Sequence, residues 1–356
     1  MKKLLLSLLG LGLVATTCLT HRAFAQEPVL PIVTFDSVPV VDVSAPLVLT
    51  PEEEEAWKKE PYYGKEINIG YNGGLCLGTF GIAQAKGFYE EEGLKTKILA
   101  VDGIIDGLGT NKIQAGGNHI AAMVVPAVNG VRMKFTTGIH TGCKSIYVPV
   151  NSDIKTTADL KGKTVAVSTG IGNSDHNISL RFLNHDNIRP EEVKFKNIAG
   201  DAVVQAMERD EVQAACMSDQ FAFWFVKEGK LRVLRSLTFD DDFKQEACCI
   251  HAVNLDFYNQ NPITVKKMTH AHERASAWIM ANLDEALDIM YANDWASGDR
   301  DIAAYALSTY NFNISDEKTE ATLRSVLDDY KTFGIIDSTK DTDELLNKIW
   351  DPVLAH

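Results

Sequence analysis

The chain has 356 residues, 45% of them hydrophobic and 23% charged. That is globular composition with length for about two folding units, and it excludes both a disordered chain and a multi-span membrane protein. A formal net charge of −13 leaves no basic stripe to neutralise phosphates and so excludes a nucleic-acid binder, although a cleft can still carry a local field of the opposite sign.

Residues 1–25 have the layout of a secretory signal: Lys2 and Lys3, an apolar stretch from Leu4 to Ala15, then Ala23-Phe24-Ala25 before Gln26. A stretch of that length falls short of the roughly 20 residues needed to span a bilayer. Lipid attachment at Cys18 is disfavoured because Thr17 stands where a smaller residue is preferred. The expected location is therefore periplasmic or otherwise extracytoplasmic. Cleavage after Ala25 removes Lys2, Lys3 and Arg22 and no acid, so the formal charge moves from −13 to −16. Five cysteines remain, Cys76, Cys143, Cys216, Cys248 and Cys249, and an odd number cannot all pair within one chain.

Residues 26–64 are dense in proline and carry the acidic run Glu52 to Glu55, which reads as an extended arm. From Glu66 onward short branched-apolar runs alternate with longer helical segments, the pattern of a mostly parallel sheet with crossover helices. Strands are expected at "INIGY", "KTKILAV", "HIAAMVV" and "MKFTTGI", with helices over "LGTFGIAQAKGFYEEEG" and around "PAVNG". After "SIYVPVNSDIKTTADLKG" a second series follows: strands "KTVAVS", "VKFKNI", "VQAACM" and "LRVLRSL", and helices starting near Ser174, Asp201 and Asp219. The segment Gln245 to Asn254 is where the chain would cross back to its first lobe. The last third reads as helical, beginning with Asn261 as cap and Pro262 in the first turn, followed by a core stripe through Met268, Ala271, Ala275 and Ile279.

Nucleotide and hydrolase motifs are absent. The loop "STGIGNSDHN" opens like a G-x-G fingerprint at Gly170 and Gly172, but Asp175 stands where a third Gly or Ala belongs, and no Walker lysine follows. There is no G-x-S-x-G elbow and no H-E-x-x-H. What the loop delivers is a helix N-terminus suited to an acceptor group, which Asn173 or Ser174 can equally cap without a ligand. His140-x-x-Cys143 and Cys249-x-His251 are soft-metal pairs without a known zinc spacing, and buried cysteines also serve as small hydrophobes. No cofactor or resident metal is expected; His119, His140, Cys143 and His176 are the residues a metal would use.

Four stretches together resemble the solute-binding proteins of ABC importers in the nitrate, sulfonate and taurine group: "AQAKGFYEEEGL" (83–94), "ADLKGKTVAVSTG" (158–170), "SDQFAFWF" (218–225) and "ANLDEALDIM" (281–290). The resemblance implies an α/β, two-lobed periplasmic-binding-protein fold, each lobe a mostly parallel sheet flanked by helices, with a helical C-terminal part. Residues 65–148 plus 250–356 would form lobe 1 and residues 149–249 lobe 2, joined by two hinge crossovers. It implies a monomer that captures a small polar organic solute between the lobes and passes it to a membrane permease, with no catalysis. On this placement the ligand-facing residues are Asn72, Gly73, Cys76, His119, Met123, His140 and Thr141 from lobe 1. Lobe 2 supplies Thr169, Gly170, Asn173, Ser174, His176 and Asp219, the last of which is equally a helix cap. Where the family often reads Gly-x-x-Asp-x-Ala, this chain has Gly116 to Ala121 with His119 in the Asp position, and no Arg is available to clamp a sulfonate. Three other readings stay open: a metal or metal-complex receptor, an enzyme similar to the thiamine-pyrimidine synthases that share this fold, for which Cys248-Cys249 are the residues of interest, and a periplasmic sensor module.

Overall fold

The computed structural model describes residues 30, 31, 33, 35 and 44–354; the expected export signal at 1–25, with Cys18, lies outside them. The arm is not extended throughout. Pro51–Trp57 forms a helix (α1), started by a capping box between Thr50 and Glu53, and its Trp57 is buried with its indole N–H donating to Thr264 Oγ1 at 3.0 Å. Upstream, the Leu47 N–H donates to the buried Glu92 carboxylate, so this part of the arm is tied to the first lobe.

The first lobe starts β1 (Glu66–Gly70), α2 (Gly78–Ala85), α3 (Phe88–Glu91), β2 (Lys95–Leu99), α4 (Ile104–Gly109), β3 (Ala115–His119), α5 (Ile120–Val128) and β4 (Met133–Thr141). The second lobe is β5 (Lys144–Pro149), β6 (Thr164–Val167), α6 (Ser174–His185), β7 (Lys194–Asn197), α7 (Gly200–Glu208), β8 (Ala214–Ser218), α8 (Asp219–Lys227) and β9 (Leu231–Ser236). The chain then returns through β10 (Ala247–Asn254). The helices α9 (Leu255–Gln260), α10 (Pro262–Ala281), α11 (Leu283–Ala292), α12 (Arg300–Ser308), α13 (Asp316–Thr332) and α14 (Thr342–Ile349) complete the first lobe.

Two five-stranded sheets result, ordered β2-β1-β3-β10-β4 and β7-β6-β8-β5-β9. In each, the antiparallel strand in the fourth position is the one that has just crossed from the other lobe: β10 against β3 and β4, and β5 against β8 and β9. The crossings therefore fall at residues 142–143 and 237–246. The stretch "SIYVPV" is already the second lobe's strand, and "ACCIHAVN" is a first-lobe strand.

One expected strand is mostly helix. In "HIAAMVV", β3 ends at His119 and α5 begins at Ile120, running through the "PAV" of "PAVNG" to Val128. A short run that is apolar on every side has no period to separate strand from helix, and α5 is buried almost all round. The strand lies one step upstream in Ala115–His119, where a side chain on Gly117 would come within 2.9 Å of the Ile250 carbonyl, so only Gly lets β3 lie against β10. Asn261 stands at the cap position of α10 with Pro262 in the first turn, as expected, but its side chain does not do the capping: it donates to Phe257 O and accepts from Tyr62 N, while Glu60 takes the Ile263 and Thr264 N–H groups.

The lobes are tied by Arg181 of α6. It donates to Asp329 of α13 at 2.6 Å, to Glu246 ahead of β10 at 2.7 and 3.1 Å, and to Ser325 at 2.8 Å, with only 3% of its surface exposed. Beside it the Ala121 carbonyl in the first turn of α5 accepts from Asn177 of α6 and from the Tyr330 hydroxyl. Removing one member of a buried ion pair costs roughly 3–5 kcal/mol. Arg181→Ala is therefore expected to lower the free energy of unfolding by that order and to enlarge the radius of gyration in solution scattering as the lobes separate. An unchanged radius and unfolding midpoint would contradict the assignment.

Candidate functional site

Six sulfur and imidazole side chains meet where the two crossovers pass. Cys76 comes from the loop after β1, His119 from the end of β3, His140 from the end of β4, Cys143 from the first crossover, and Cys248 and Cys249 from the start of β10. Two overlapping sets of four have all their ligating atoms within 4.8 Å of one another: Cys76, His140, Cys143 and Cys249, and His119, Cys143, Cys248 and Cys249. The His119 Nδ1 lies 3.3 Å from the Cys249 sulfur, 3.5 Å from Cys248 and 3.7 Å from Cys143, and the Cys143 and Cys248 sulfurs are 3.0 Å apart. All five described cysteines are free thiols.

Local backbone geometry aims these groups. Gly142 and Cys143 both sit in the left-handed region, at φ of +84° and +87°. That conformation is costly for Cys143, and it is held by the Cys143 N–H donating to Thr238 Oγ1 at 2.9 Å. On β10, register shifts against β4 on either side of Cys249 break the strict alternation of side chains. Two consecutive cysteines thus reach one chamber, where a regular strand would send them to opposite faces. His140 is fully buried beside the Tyr310 and Phe312 rings; its Nδ1 lies 2.7 Å from the Thr141 carbonyl, and its Nε2 has no partner. A proton on Nδ1 donating to that carbonyl leaves Nε2 a bare lone pair.

The thiols share their charge unevenly. Burial pushes the Cys248 thiol up, but hydrogen bonds from Cys143 and Cys249 and the Lys144 ammonium outweigh it and hold it down at about 6. Burial together with the Cys143 and Cys248 thiols raises Cys249 well above the ordinary range. Burial pushes the Cys143 thiol up as well, but hydrogen bonds with Cys249 and Cys76 hold it below its ordinary value, so among these three thiols Cys249 is the one that resists losing its proton.

The second lobe contributes the loop before α6, and its own Asp175 fills it. The Asp175 carboxylate accepts from the Ser168 N–H and hydroxyl and the Thr169 N–H, at 2.9, 2.7 and 3.0 Å, and pairs with the buried Lys144 ammonium. Thr169 Oγ1 takes the Asp175 N–H, Ser174 is buried and donates to Thr169, and Asn173 caps the helix through the Ser174 N–H. Gly170 and Gly172 adopt φ of +100° and +80° to make the turn. A carboxylate at a helix start with a lysine against it leaves no vacancy for a phosphate.

Among the other expected ligand-facing residues, Asn72 pairs with the backbone of Val101 and Gly73 packs on the backbone of Trp295. Thr141 is hydrogen-bonded to the backbone of Asn311, and Met123 is fully buried in the core with Ile120, Phe135 and Tyr330. His176 lies edge-on to Phe195 and accepts from the Gly172 N–H, apart from the sulfur cluster. Asp219 is buried and already satisfied by the Tyr147 hydroxyl at 2.6 Å and by the Thr238 hydroxyl; its N–H donates to the Cys143 carbonyl. It thereby braces the strained crossover. Of the four residues a metal would use, His119, His140 and Cys143 converge and His176 does not. Cys76, expected to face the ligand, and Cys248 and Cys249 complete the cluster; the sequence marks Cys249 by its pairing with His251, which instead meets Thr136 and stacks on Phe80. Apart from the cluster residues, both lobes line an open cavity of about 630 Å³ between Phe221, Trp224 and Phe225 of α8 and Ser297, Gly298, Asp299, Ile302 and Ala303.

These crossovers and sheets define a two-lobed protein of the periplasmic-binding-protein fold. Residues 78–286, more than half of the chain, match the family model described as NMT1/THI5 like, and the chain belongs to that family. No curated protein sequence matches it. Among solved structures it is similar to the periplasmic aliphatic sulphonate binding protein SsuA of Escherichia coli, with TM-score 0.65 and 17% identity over 81% of this chain and 98% of that one. It is also similar to the nitrate-binding protein NrtA of Synechocystis PCC 6803, with TM-score 0.67 and 14% identity over 81% and 86%. The alkanesulfonate-binding SsuA of Xanthomonas axonopodis pv. citri, bound to MOPS, gives TM-score 0.64 and 16% identity over 80% and 98%.

The Asp175–Lys144 pair yields a direct test. Burial pushes the Asp175 carboxyl up, but the Lys144 ammonium and the hydrogen bonds from Ser168 and Thr169 outweigh it and hold it below the usual carboxylate range. A depressed folded value contributes stability that is present above the unfolded value of about 3.9 and lost as pH falls through the folded value. Asp175→Asn strands Lys144 and is expected to cost roughly 3–5 kcal/mol in denaturant unfolding at neutral pH. The difference from wild type should shrink as pH falls below the unfolded carboxylate value; a pH-independent difference would refute the pairing.

Proposed function

We propose that this chain is an exported solute-binding component of an ABC importer, which captures a small solute between its lobes and delivers it to a membrane permease. The observation that carries this reading is the convergence of sulfur and imidazole side chains beside the two crossovers, at strand ends between the lobes, where open α/β sheets bind ligands. A ligand held there, beside both crossovers, that gains contacts with the second lobe on closure would convert that part of its binding energy into closure.

Several features support the same reading. Membership in a family whose solved neighbours include sulfonate- and nitrate-binding proteins fits a binding role with no covalent chemistry. No helix among the described residues is long and apolar enough to cross a membrane, which fits a permease supplied as a separate chain. The basic, apolar and small-residue layout of residues 1–25 fits export, and one copy of the fold encloses the whole site, which fits a monomer.

Fluorophores placed on the exposed ends of α7 and α14, one per lobe, report closure. Material purified from its own cells is expected to carry a small ligand in native mass spectrometry, and stripping that ligand should lengthen the inter-lobe distance. Ligand-free protein that is equally closed, with no small molecule restoring or changing the distance, would defeat the capture reading.

A further inference from the structure

The chamber at the crossovers contains four thiols and two imidazoles, and neither of its two sets of four includes a carboxylate. We propose that it binds a thiophilic d10 metal ion, Cu(I) or Zn(II), with Cys143 and Cys249 as ligands common to both sets. This rests on the capture reading above and names the solute class for that same site.

Geometry argues for it first. Zinc–sulfur and zinc–nitrogen bonds of about 2.3 and 2.0–2.1 Å at a tetrahedral centre place S and N ligands about 3.6 Å apart. The three His119–sulfur separations, 3.3, 3.5 and 3.7 Å, already bracket that edge. A core packed only with small hydrophobes has no reason to centre three sulfurs on one ring nitrogen.

The imidazoles are prepared as ligands. With Nδ1 facing the Thr141 carbonyl, His140 is fixed in ring orientation; it belongs to the set with Cys76, Cys143 and Cys249, and its buried Nε2 is the nitrogen left without a partner. Backbone-carbonyl support of a ligating histidine is the usual arrangement around a bound metal. A buried ring nitrogen with nothing to accept from is costly unless something fills the place.

Ligand chemistry selects the ion. Thiolate and imidazole favour copper(I) and zinc and disfavour the oxygen-seeking calcium, magnesium and manganese. Gathering thiolates in a buried chamber is expensive without a cation. Cys143, Cys248, Cys249 and His140 are nearly or wholly inaccessible, whereas Cys76 and His119 are half-buried, so an ion enters past these two. Since Cys143 is on the first crossover and Cys248 and Cys249 open β10 directly after the second, one ion would tie the first crossover to the strand into which the second leads.

The test uses the full chain, reduced, stripped with a chelator and handled without oxygen. Zn(II), and separately Cu(I), is titrated against a chromophoric chelator, with Co(II) as a spectroscopic probe. Expected are one or two equivalents bound, one for each filled set, and a thiolate-to-cobalt charge-transfer band. The Cys143→Ser/Cys249→Ser double variant should lose at least about 100-fold in affinity, and Cys216→Ser, which removes the one described cysteine outside the cluster, should lose nothing. Circular dichroism reports folding; if the double variant does not fold, the half-exposed His119→Ala and Cys76→Ser carry the comparison, each with an expected loss of about 10-fold or more. No binding to reduced protein, a Cys143–Cys248 disulfide as the resting state with no metal affinity after reduction, or equal affinity in the variants would overturn the proposal. The inter-lobe distance read in the same titration separates the two claims. Metal bound with no change in distance removes the capture reading and leaves the metal site; closure by an organic molecule with no metal bound does the reverse.

Discussion

Everything in this molecule depends on the chain passing twice through one place. The first passage is made in two residues, Gly142 and Cys143, both with positive φ. The second descends through Glu246 into β10. Each returning strand is inserted fourth in the other lobe's sheet, so neither lobe's core is complete without a segment that has crossed. The left-handed Cys143 is held by Thr238, Thr238 also serves Asp219, and Asp219 receives Tyr147 and binds back to the Cys143 carbonyl. A strained residue kept by so much surrounding structure points to a use for its side chain.

That constraint also explains the chemistry of the chamber. Strand ends and crossovers bring together residues 76, 119, 140, 143, 248 and 249, which no local motif links. The second lobe does not oppose them with an anion site, because Asp175 and Lys144 neutralise each other at the helix start. It contributes instead the ties of α6 to the first lobe, Arg181 with Glu246 and Asp329 and Asn177 with the Ala121 carbonyl. One lobe thus carries most of the ligating groups and the other carries the latch.

Much of the fold was legible from sequence because most strands lie in parallel βα series, where branched-apolar runs and helix starts alternate; Ser174 and Asp219 begin helices where expected. What was not legible has specific causes. The run Ile120–Val128 is apolar on all sides and carries no period, while the true strand beside it is glycine-rich and carries no strand signal. Helix α1 hides in a proline-rich segment because Pro51 sits in the first turn, where proline is tolerated. For the site, His119, His140 and Cys143 were visible as chemistry-bearing residues, but the joining of Cys248 and Cys249 depends on register shifts in β10 that no spacing rule encodes. The hydroxyl and amide residues of the loops, Asn72, Thr141, Thr169 and Asn173, are occupied with backbone partners, which the sequence does not reveal.

The central claim is that the crossovers close on an ion held by sulfur and imidazole. X-ray absorption fine structure of the zinc-loaded, reduced chain reads that shell directly. The account predicts three sulfur scatterers near about 2.3 Å and one nitrogen near about 2.0–2.1 Å, the composition of either set. A shell of oxygen and nitrogen alone, the signature of metal on surface carboxylates and histidines, would contradict it.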